Sequence, residues 1–314
     1  MDAMRPERVS VIDPIEPAIE RVRTMLFRPF DLSKWFIIGF CAWLAHLGRG
    51  SGGQGFNFQF PGGEHRWDSG KTDLTAVKEA IAPYLLLVIA GAAILVLLSF
   101  IIALVLCWLR SRGLFMFVHC IAGNKAEVVV PWKNYSRHGN SLFLFKIVFV
   151  LISLLCLALP IAILVVAIII IAKAELIAAG VMGIIGAVCL IVIISIIVGL
   201  VIKFVDDFVV PIMALHTAST LAGCKIFLSL MSCNKARMAL YILFQFIISM
   251  AIGIIASLVC LVACCCCCCT VVLFALPYIG TVILLPLFVF KRAYSLYYLR
   301  QFGPQFDVFI PQPS

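Results

Sequence analysis

Long apolar stretches separated by shorter polar segments dominate the 314-residue chain. Several stretches exceed the roughly 18 uncharged residues that suffice to cross a lipid bilayer as a helix. A soluble domain would present polar faces along such stretches, and these have none. The pattern therefore predicts an all-α, polytopic membrane protein whose main partner is the lipid bilayer.

The apolar stretches divide into six predicted transmembrane helices. These cover residues 34–48, 81–109, 142–171, 178–202, 239–275 and 280–299. Lys173 and Glu175 mark the turn between the third and fourth helices, because an unbroken helix there would be about 90 Å long. Pro277 and Gly280 give the strongest turn signal between the last two, although a turn within the cysteine run 264–269 would give more even lengths.

Polar and amphipathic segments connect the predicted spans. Residues 15–28 place apolar side chains at helical spacing among charged ones, which predicts an amphipathic helix in the membrane interface. Pro29 ends this helix, and Asp31 or Ser33 can cap the next one. The remaining connections are a glycine-rich outer loop at 48–80 and two cytoplasmic segments at 110–140 and 203–237.

Composition and charge support the membrane prediction and orient it. Only 12% of the residues are charged, about half the share found in soluble domains. Of 24 Lys and Arg, nineteen fall in the N-terminal segment, in 110–146, in 203–237 and after Phe290. Cytoplasmic loops carry such an excess, so both termini are predicted to be cytoplasmic. The basic residues form no periodic face, so nucleic acid is not a predicted partner.

Two series of small residues are predicted to mediate close helix packing, because small side chains let membrane helices approach. They are Gly180, Gly183 and Gly186 in the fourth span, and Ser249, Gly253, Ser257, Cys260, Cys264 and Cys268 in the fifth. Two alternatives stay open: a ligand site at a break in the glycine-bearing helix, and a soft-metal or redox role for the cysteine run 264–269. That run lacks the paired spacing and nearby His of a specific metal site, so no metal or cofactor is predicted.

No arrangement of residues predicts catalysis. The five His are scattered, and no metalloprotease, serine-hydrolase or nucleotide-binding motif occurs. Gln245 and Ser249 are the deepest polar groups in the predicted spans, which argues against an ion-coupled carrier. Asp206 and Asp207, which follow Lys203 at the inner end of the fourth span, are interpreted as a solvated helix end. The protein is therefore predicted not to be an enzyme.

Three aromatic residues in the outer loop predict self-association. Phe56, Phe58 and Phe60 alternate with polar residues, which would place three rings on one side of a short strand. Such a strand needs a partner, and a second copy of the same loop is the nearest surface. The competing interpretation is that the rings lie against the bilayer surface.

Two parts of the sequence resemble a known group of proteins. Residues 28–35 (RPFDLSKW) follow the amphipathic segment, and residues 276–281 (LPYIGT) lead to residues 292–299 (RAYSLYYL). They resemble uncharacterised bacterial six-helix integral membrane proteins, which are similar to the membrane domain attached to some glycerophosphodiester phosphodiesterases. The resemblance implies a bacterial cytoplasmic (inner) membrane location. It carries over no active residues and no phosphodiesterase activity.

These observations predict a non-enzymatic scaffold or a self-assembling structural component, in the form of a homo-oligomer. The alternative is a channel or facilitator that passes a lipid or small solute through an uncharged pore. A third interpretation is a metal or redox protein that uses the cysteine run.

Overall fold

The computed structural model describes residues 9–48, 85–172, 177–216, 219–266 and 277–309. Within these ranges the chain is helical and contains no β-strand, which confirms the all-α prediction. Phe56, Phe58 and Phe60 lie outside the described residues, so the strand and the self-association assigned to them stay predictions.

The described helices are numbered here in chain order. They are α1 (Ile15–Val22), α2 (Leu32–His46), α3 (Leu85–Gly123), α4 (Val129–Asn134), α5 (Ser136–Ala172), α6 (Ile177–Phe204), α7 (Val210–His216), α8 (Thr220–Cys233), α9 (Lys235–Cys266), α10 (Pro277–Ile283) and α11 (Leu285–Arg300). A π-helical turn extends α1 over Arg23–Phe27, and another joins α6 to α7 over Val205–Val209. A short 3-10 helix, Pro304–Phe306, follows α11.

Four helical stretches are long and apolar enough to cross a membrane. They are Ile89–Gly123, Ser136–Ala172, Ala178–His216 and Lys235–Val259. The other two predicted spans correspond to α2, with 15 residues, and to α10 followed by the 16-residue α11. A 16-residue helix is about 24 Å long, which is shorter than the roughly 30 Å hydrocarbon core. The chain is thus a helical membrane protein, and the number of six crossings stays a prediction.

Helix α3 has one half that is exposed and apolar and another half that packs against protein. Helix α3 has 39 residues, so it is about 58 Å long, nearly twice the hydrocarbon thickness. All residues over 89–103 are exposed, whereas residues 114–118 are buried in the core. The helix therefore continues well beyond its predicted end at residue 109, and its second half packs against protein.

The parts of the helices that pack against protein form one compact unit, which we call the base. It contains α1, α2, the C-terminal half of α3, the adjoining ends of α5, α6 and α9, and helices α7, α8 and α11. Its largest fully buried side chains are aromatic: Phe115, Phe117, Phe208, Tyr241, Tyr294, Tyr298, Phe302 and Phe306. Helix α11 is largely buried in the base, and two of its tyrosines donate hydrogen bonds to backbone carbonyls that are distant in sequence. Tyr294 donates to the Val11 carbonyl at 2.8 Å, and Tyr298 donates to the Arg237 carbonyl at 2.9 Å.

Helix α2 packs antiparallel to α3, at a separation that only glycine allows at one point. A Cβ atom on Gly113 would lie 2.6 Å from the backbone of Leu44. Further along the same interface, the sulfurs of Cys41 and Cys120 lie 3.8 Å apart. The side chain of Asp31 accepts a hydrogen bond from the Ser33 backbone N–H at 2.8 Å, which confirms the predicted cap of α2.

Candidate functional site

The π-helical turn Val205–Val209 carries two adjacent carboxylates into the base. π-Turns inside α-helices are rare and occur frequently at functional sites. Asp206 is 1% exposed, and Asp207 is half-buried. Burial of a carboxylate is strongly unfavourable unless basic groups and hydrogen bonds compensate it. The partners of these two residues therefore define the site.

Asp206 forms ion pairs with two other long helices. Its Oδ2 atom lies 2.7 Å from Nη2 of Arg110 on α3, and its Oδ1 atom lies 2.8 Å from Nζ of Lys146 on α5. The Lys146 and Asp206 side chains are 9% and 2% exposed. One carboxylate in the π-turn after α6 therefore holds together the ends of three predicted membrane helices that meet in the base.

Asp207 is held by a second group of contacts. Its Oδ2 atom lies 3.3 Å from Nζ of Lys203, one turn earlier in α6. The Tyr241 hydroxyl on α9 donates to the same carboxylate at 3.2 Å. Gln245, one turn further along α9, donates from Nε2 to the Tyr241 hydroxyl at 3.1 Å. A polar chain thus runs from the carboxylate into α9.

Arg292 connects α11 to both aspartates. Its Nη1 atom donates to the backbone carbonyl of Asp206 at 2.6 Å and lies 3.7 Å from Oδ1 of Asp207. The Arg292 side chain is 7% exposed. We call the six ionic residues the ion cluster: Arg110, Lys146, Lys203, Asp206, Asp207 and Arg292. Together with Tyr241, the cluster joins five helical segments that are distant in sequence.

The ion cluster contains more positive than negative charge. Four basic side chains surround two carboxylates, so the cluster as described has a surplus of two positive charges. In addition, the Nε atom of Arg110 is buried without a hydrogen-bond acceptor among the described residues. Attraction inside a protein compensates the loss of hydration only where charges and hydrogen bonds are well matched. The surplus leaves this cluster only partly compensated by the described residues.

The cluster lies where the exposed apolar surfaces begin. Arg110 follows the exposed Val105 by five residues, and Lys146 precedes the exposed Val148 by two. Lys203 follows the exposed Ile197 by six residues. At 1.5 Å per residue, each basic group lies within about 10 Å, along its helix, of an exposed apolar surface.

The interpretation of Asp206 as part of a solvated helix end is wrong. The residue is among the most buried in the base, because Arg110 and Lys146 enclose its carboxylate. Local sequence shows only that charges follow an apolar stretch, and Arg110 is 96 positions away. The signal that could have revealed the site is the occurrence of charged residues at the inner ends of three successive predicted helices.

The three predicted packing glycines lie on α6, which forms an antiparallel pair with α5. A Cβ atom on Gly180 would overlap the side chain of Ile171, and one on Gly183 would lie 3.0 Å from Cβ of Ala167. A Cβ atom on Gly186 would meet nothing within 4 Å. Two of the glycines thus lie in the helix–helix contact, and the third faces open space.

The small residues of α9 lie beside its packed face. That face consists of Tyr241, Gln245, Ile248, Ile252 and Ala256, all buried. Ser249 and Gly253 are half-buried, and Ser257 is exposed with its hydroxyl donating to the Gly253 carbonyl. The side chains of Cys260 and Cys264, and the whole of Cys268, lie outside the described residues, so their packing role stays a prediction. Among the residues that the structure describes, no three His, Cys, Asp or Glu are placed to hold a metal ion.

Comparison with known proteins gives a family without an activity. Neither a curated protein nor a solved structure matches the chain. Residues 9–279 match the model of DUF7544, which is described as a family of unknown function. Since this match covers most of the 314 residues, the chain belongs to the DUF7544 family.

Proposed function

We propose that the protein is a non-enzymatic membrane scaffold, in which a rigid base sets the positions of helices that cross the bilayer. One observation carries this proposal: charged residues are absent from the long helix segments that are expected to cross the bilayer. No Asp, Glu, Lys, Arg or His occurs within 85–109, 147–172, 177–202 or 246–266. The ionic residues that meet these helices are gathered in the base instead.

This separation favours a scaffold over a carrier. Ionisable groups in the middle of membrane helices form the binding sites and proton paths of most transporters. Here the outer helix halves present apolar side chains, and at most 17% of the most apolar window of any candidate span is buried. The ion cluster gives the base a fixed geometry, which is what a scaffold requires.

The proposal also specifies the orientation of the chain and the membrane in which it is located. The base carries most of the basic residues, and nineteen of the 24 Lys and Arg belong to segments on its side. The positive-inside rule supports a cytoplasmic position for the base and for both termini. The resemblance noted above supports the bacterial cytoplasmic membrane as the location.

Self-assembly is the third part of the proposal. Gly91 on α3 and Gly186 and Gly199 on α6 have open space where a Cβ atom would lie. Small residues on exposed membrane helices allow a second helix to approach closely. These positions support contacts between copies, in addition to the predicted contact through Phe56, Phe58 and Phe60.

The proposal is tested by mass and by flux measured on the same preparation. The protein is reconstituted into nanodiscs for mass determination, and into vesicles loaded with K⁺ or a small neutral dye. We expect a discrete assembly heavier than the 34.5 kDa monomer, with leakage equal to that of empty vesicles. A monomeric particle would refute self-assembly. Saturable flux of either solute would refute the scaffold and favour the channel.

A further inference from the structure

We propose that the ion cluster binds the phosphate group of an anionic lipid, which enters between the inner ends of α3, α5 and α6. This binding site is a function beyond the scaffold proposed above and does not depend on it. The inference rests on three independent observations: the charge of the cluster, its depth, and an unsatisfied donor.

The first observation is the positive surplus. Asp206 already faces both Arg110 and Lys146, and Asp207 faces Lys203 and Arg292. The other described carboxylates lie elsewhere; Glu127, for example, is near Lys125 and His119. An unbalanced positive charge next to hydrocarbon is strongly unfavourable, and a bound anion removes that penalty. Basic pockets between membrane helices bind anionic headgroups in this way.

The second observation is depth. The basic residues lie just below exposed helix surfaces that acyl chains would cover, so the phosphate of a lipid lying along those surfaces would reach them. Lys203 and Arg110 are the most exposed basic residues of the cluster, with side chains 25% and 16% exposed. Trp108, half-buried near Arg110, has the indole ring typical of the headgroup level, and the guanidinium of Arg112 lies 4.4 Å from its centroid.

The third observation concerns hydrogen bonding. The Arg110 guanidinium uses Nη2 for Asp206, while its buried Nε has no acceptor among the described residues. Arginine binds phosphate oxygens through adjacent N–H groups, and such charge-assisted bonds are about twice as strong as neutral ones. A phosphate that reaches the partly exposed Arg110 side chain would bring a negative charge next to this donor, in addition to the two described carboxylates.

The experiment uses the full chain, purified in detergent and stripped of lipid. Three probes are added separately: dioleoyl phosphatidylglycerol, dioleoyl phosphatidylcholine and inorganic phosphate. Binding is measured by native mass spectrometry and by the midpoint of thermal unfolding. We expect phosphatidylglycerol to bind and raise the midpoint, and the other two to have little effect.

Three variants locate the site. Lys203→Gln removes a partly exposed charge and leaves Tyr241 and Arg292 on Asp207, so the fold should persist, as circular dichroism can verify. Each basic residue near a membrane surface contributes about 1 kcal/mol, so phosphatidylglycerol affinity should fall roughly fivefold. Lys225→Gln, an exposed position on α8, makes the same change in net charge and should bind like the wild type. Lys203→Arg should restore the affinity.

Each alternative result has a definite meaning. Equal binding of phosphatidylglycerol and phosphatidylcholine, or equal loss in Lys203→Gln and Lys225→Gln, would overturn the site. If inorganic phosphate raises the unfolding midpoint as much as phosphatidylglycerol does, the ligand is free phosphate and the lipid assignment is wrong. The flux and mass measurements that test the scaffold are not used in this comparison. Failure of the lipid-binding site would therefore not imply failure of the scaffold, or the reverse.

Discussion

Replacement of Asp206 by Asn tests most directly whether the ion cluster stabilises the base. Asn keeps the shape of the side chain and removes the charge that Arg110 and Lys146 face at 2.7 and 2.8 Å. Both cations would then remain in a site where their side chains are only 16% and 9% exposed. Loss of one partner from a buried ion pair typically destabilises a protein by about 3–5 kcal/mol.

The expected effect is large enough to measure directly. In chains of about 150–250 residues, about 1 kcal/mol corresponds to roughly 2–4 °C in the unfolding midpoint, and the shift is smaller in longer chains. Asp206→Asn should therefore lose several degrees, up to about 20 °C. The assay is thermal unfolding in detergent, followed by circular dichroism and by size-exclusion chromatography. Asp13→Asn, an exposed position, is the matched control and should unfold like the wild type.

A double variant tests the cause of that loss. Asp206→Asn leaves two buried cations without their carboxylate partner, and Lys146→Met removes one of them. The double variant should therefore be more stable than the sum of the two single losses predicts. The reasoning is refuted if the two losses simply add. It is equally refuted if Asp206→Asn unfolds at the same temperature as Asp13→Asn.

Three other predictions concern packing, topology and assembly. Gly113→Ala should destabilise the protein by about 1–3 kcal/mol, because the new methyl group would meet the backbone of Leu44. Gly123→Ala, whose Cβ atom would lie 3.9 Å from the nearest side chain, should be neutral or stabilising by up to about 1 kcal/mol. Equal unfolding midpoints for the two variants would contradict the α2–α3 contact. A protease site inserted after Asn124, in the exposed connection between α3 and α4, should be cut in inside-out vesicles only, and cutting only in right-side-out vesicles would reverse the topology. Changing Phe56, Phe58 and Phe60 together to Ser should lower the particle mass in light scattering while leaving helix content intact; unchanged mass would exclude the loop as the contact.

Hydrophobic pattern was sufficient to predict the helical membrane class. The apolar stretches of α3, α5, α6 and α9 are long, and their composition alone identifies them as candidate spans. Charge at their ends gave the orientation as a prediction. These properties are local, so a single sequence carries them.

The base and its ion cluster could not be predicted in the same way, because they depend on contacts between distant segments. Helix α11 is predicted as a span from its apolar residues, yet it is buried among other helices, with Arg292 against Asp206. Nothing near residue 292 in the sequence indicates that a backbone carbonyl 86 positions away will accept its hydrogen bond. Likewise, the close approach of α2 to α3 depends on Gly113 meeting Leu44, a pairing without a local signal.

The central claim is that the outer helix halves lie in lipid, line no aqueous path, and are organised by the base. The most direct measurement is a site-by-site accessibility scan of residues 89–103 on α3 in vesicles. A spin-labelled non-canonical amino acid at each position leaves the native cysteines unchanged. Because every residue in this range is exposed and uncharged, all positions should be protected from a water-soluble nickel complex. Positions away from the proposed contact at Gly91 should collide with membrane-dissolved oxygen. Nickel accessibility that recurs every three to four residues would reveal a water-lined face and would contradict the scaffold.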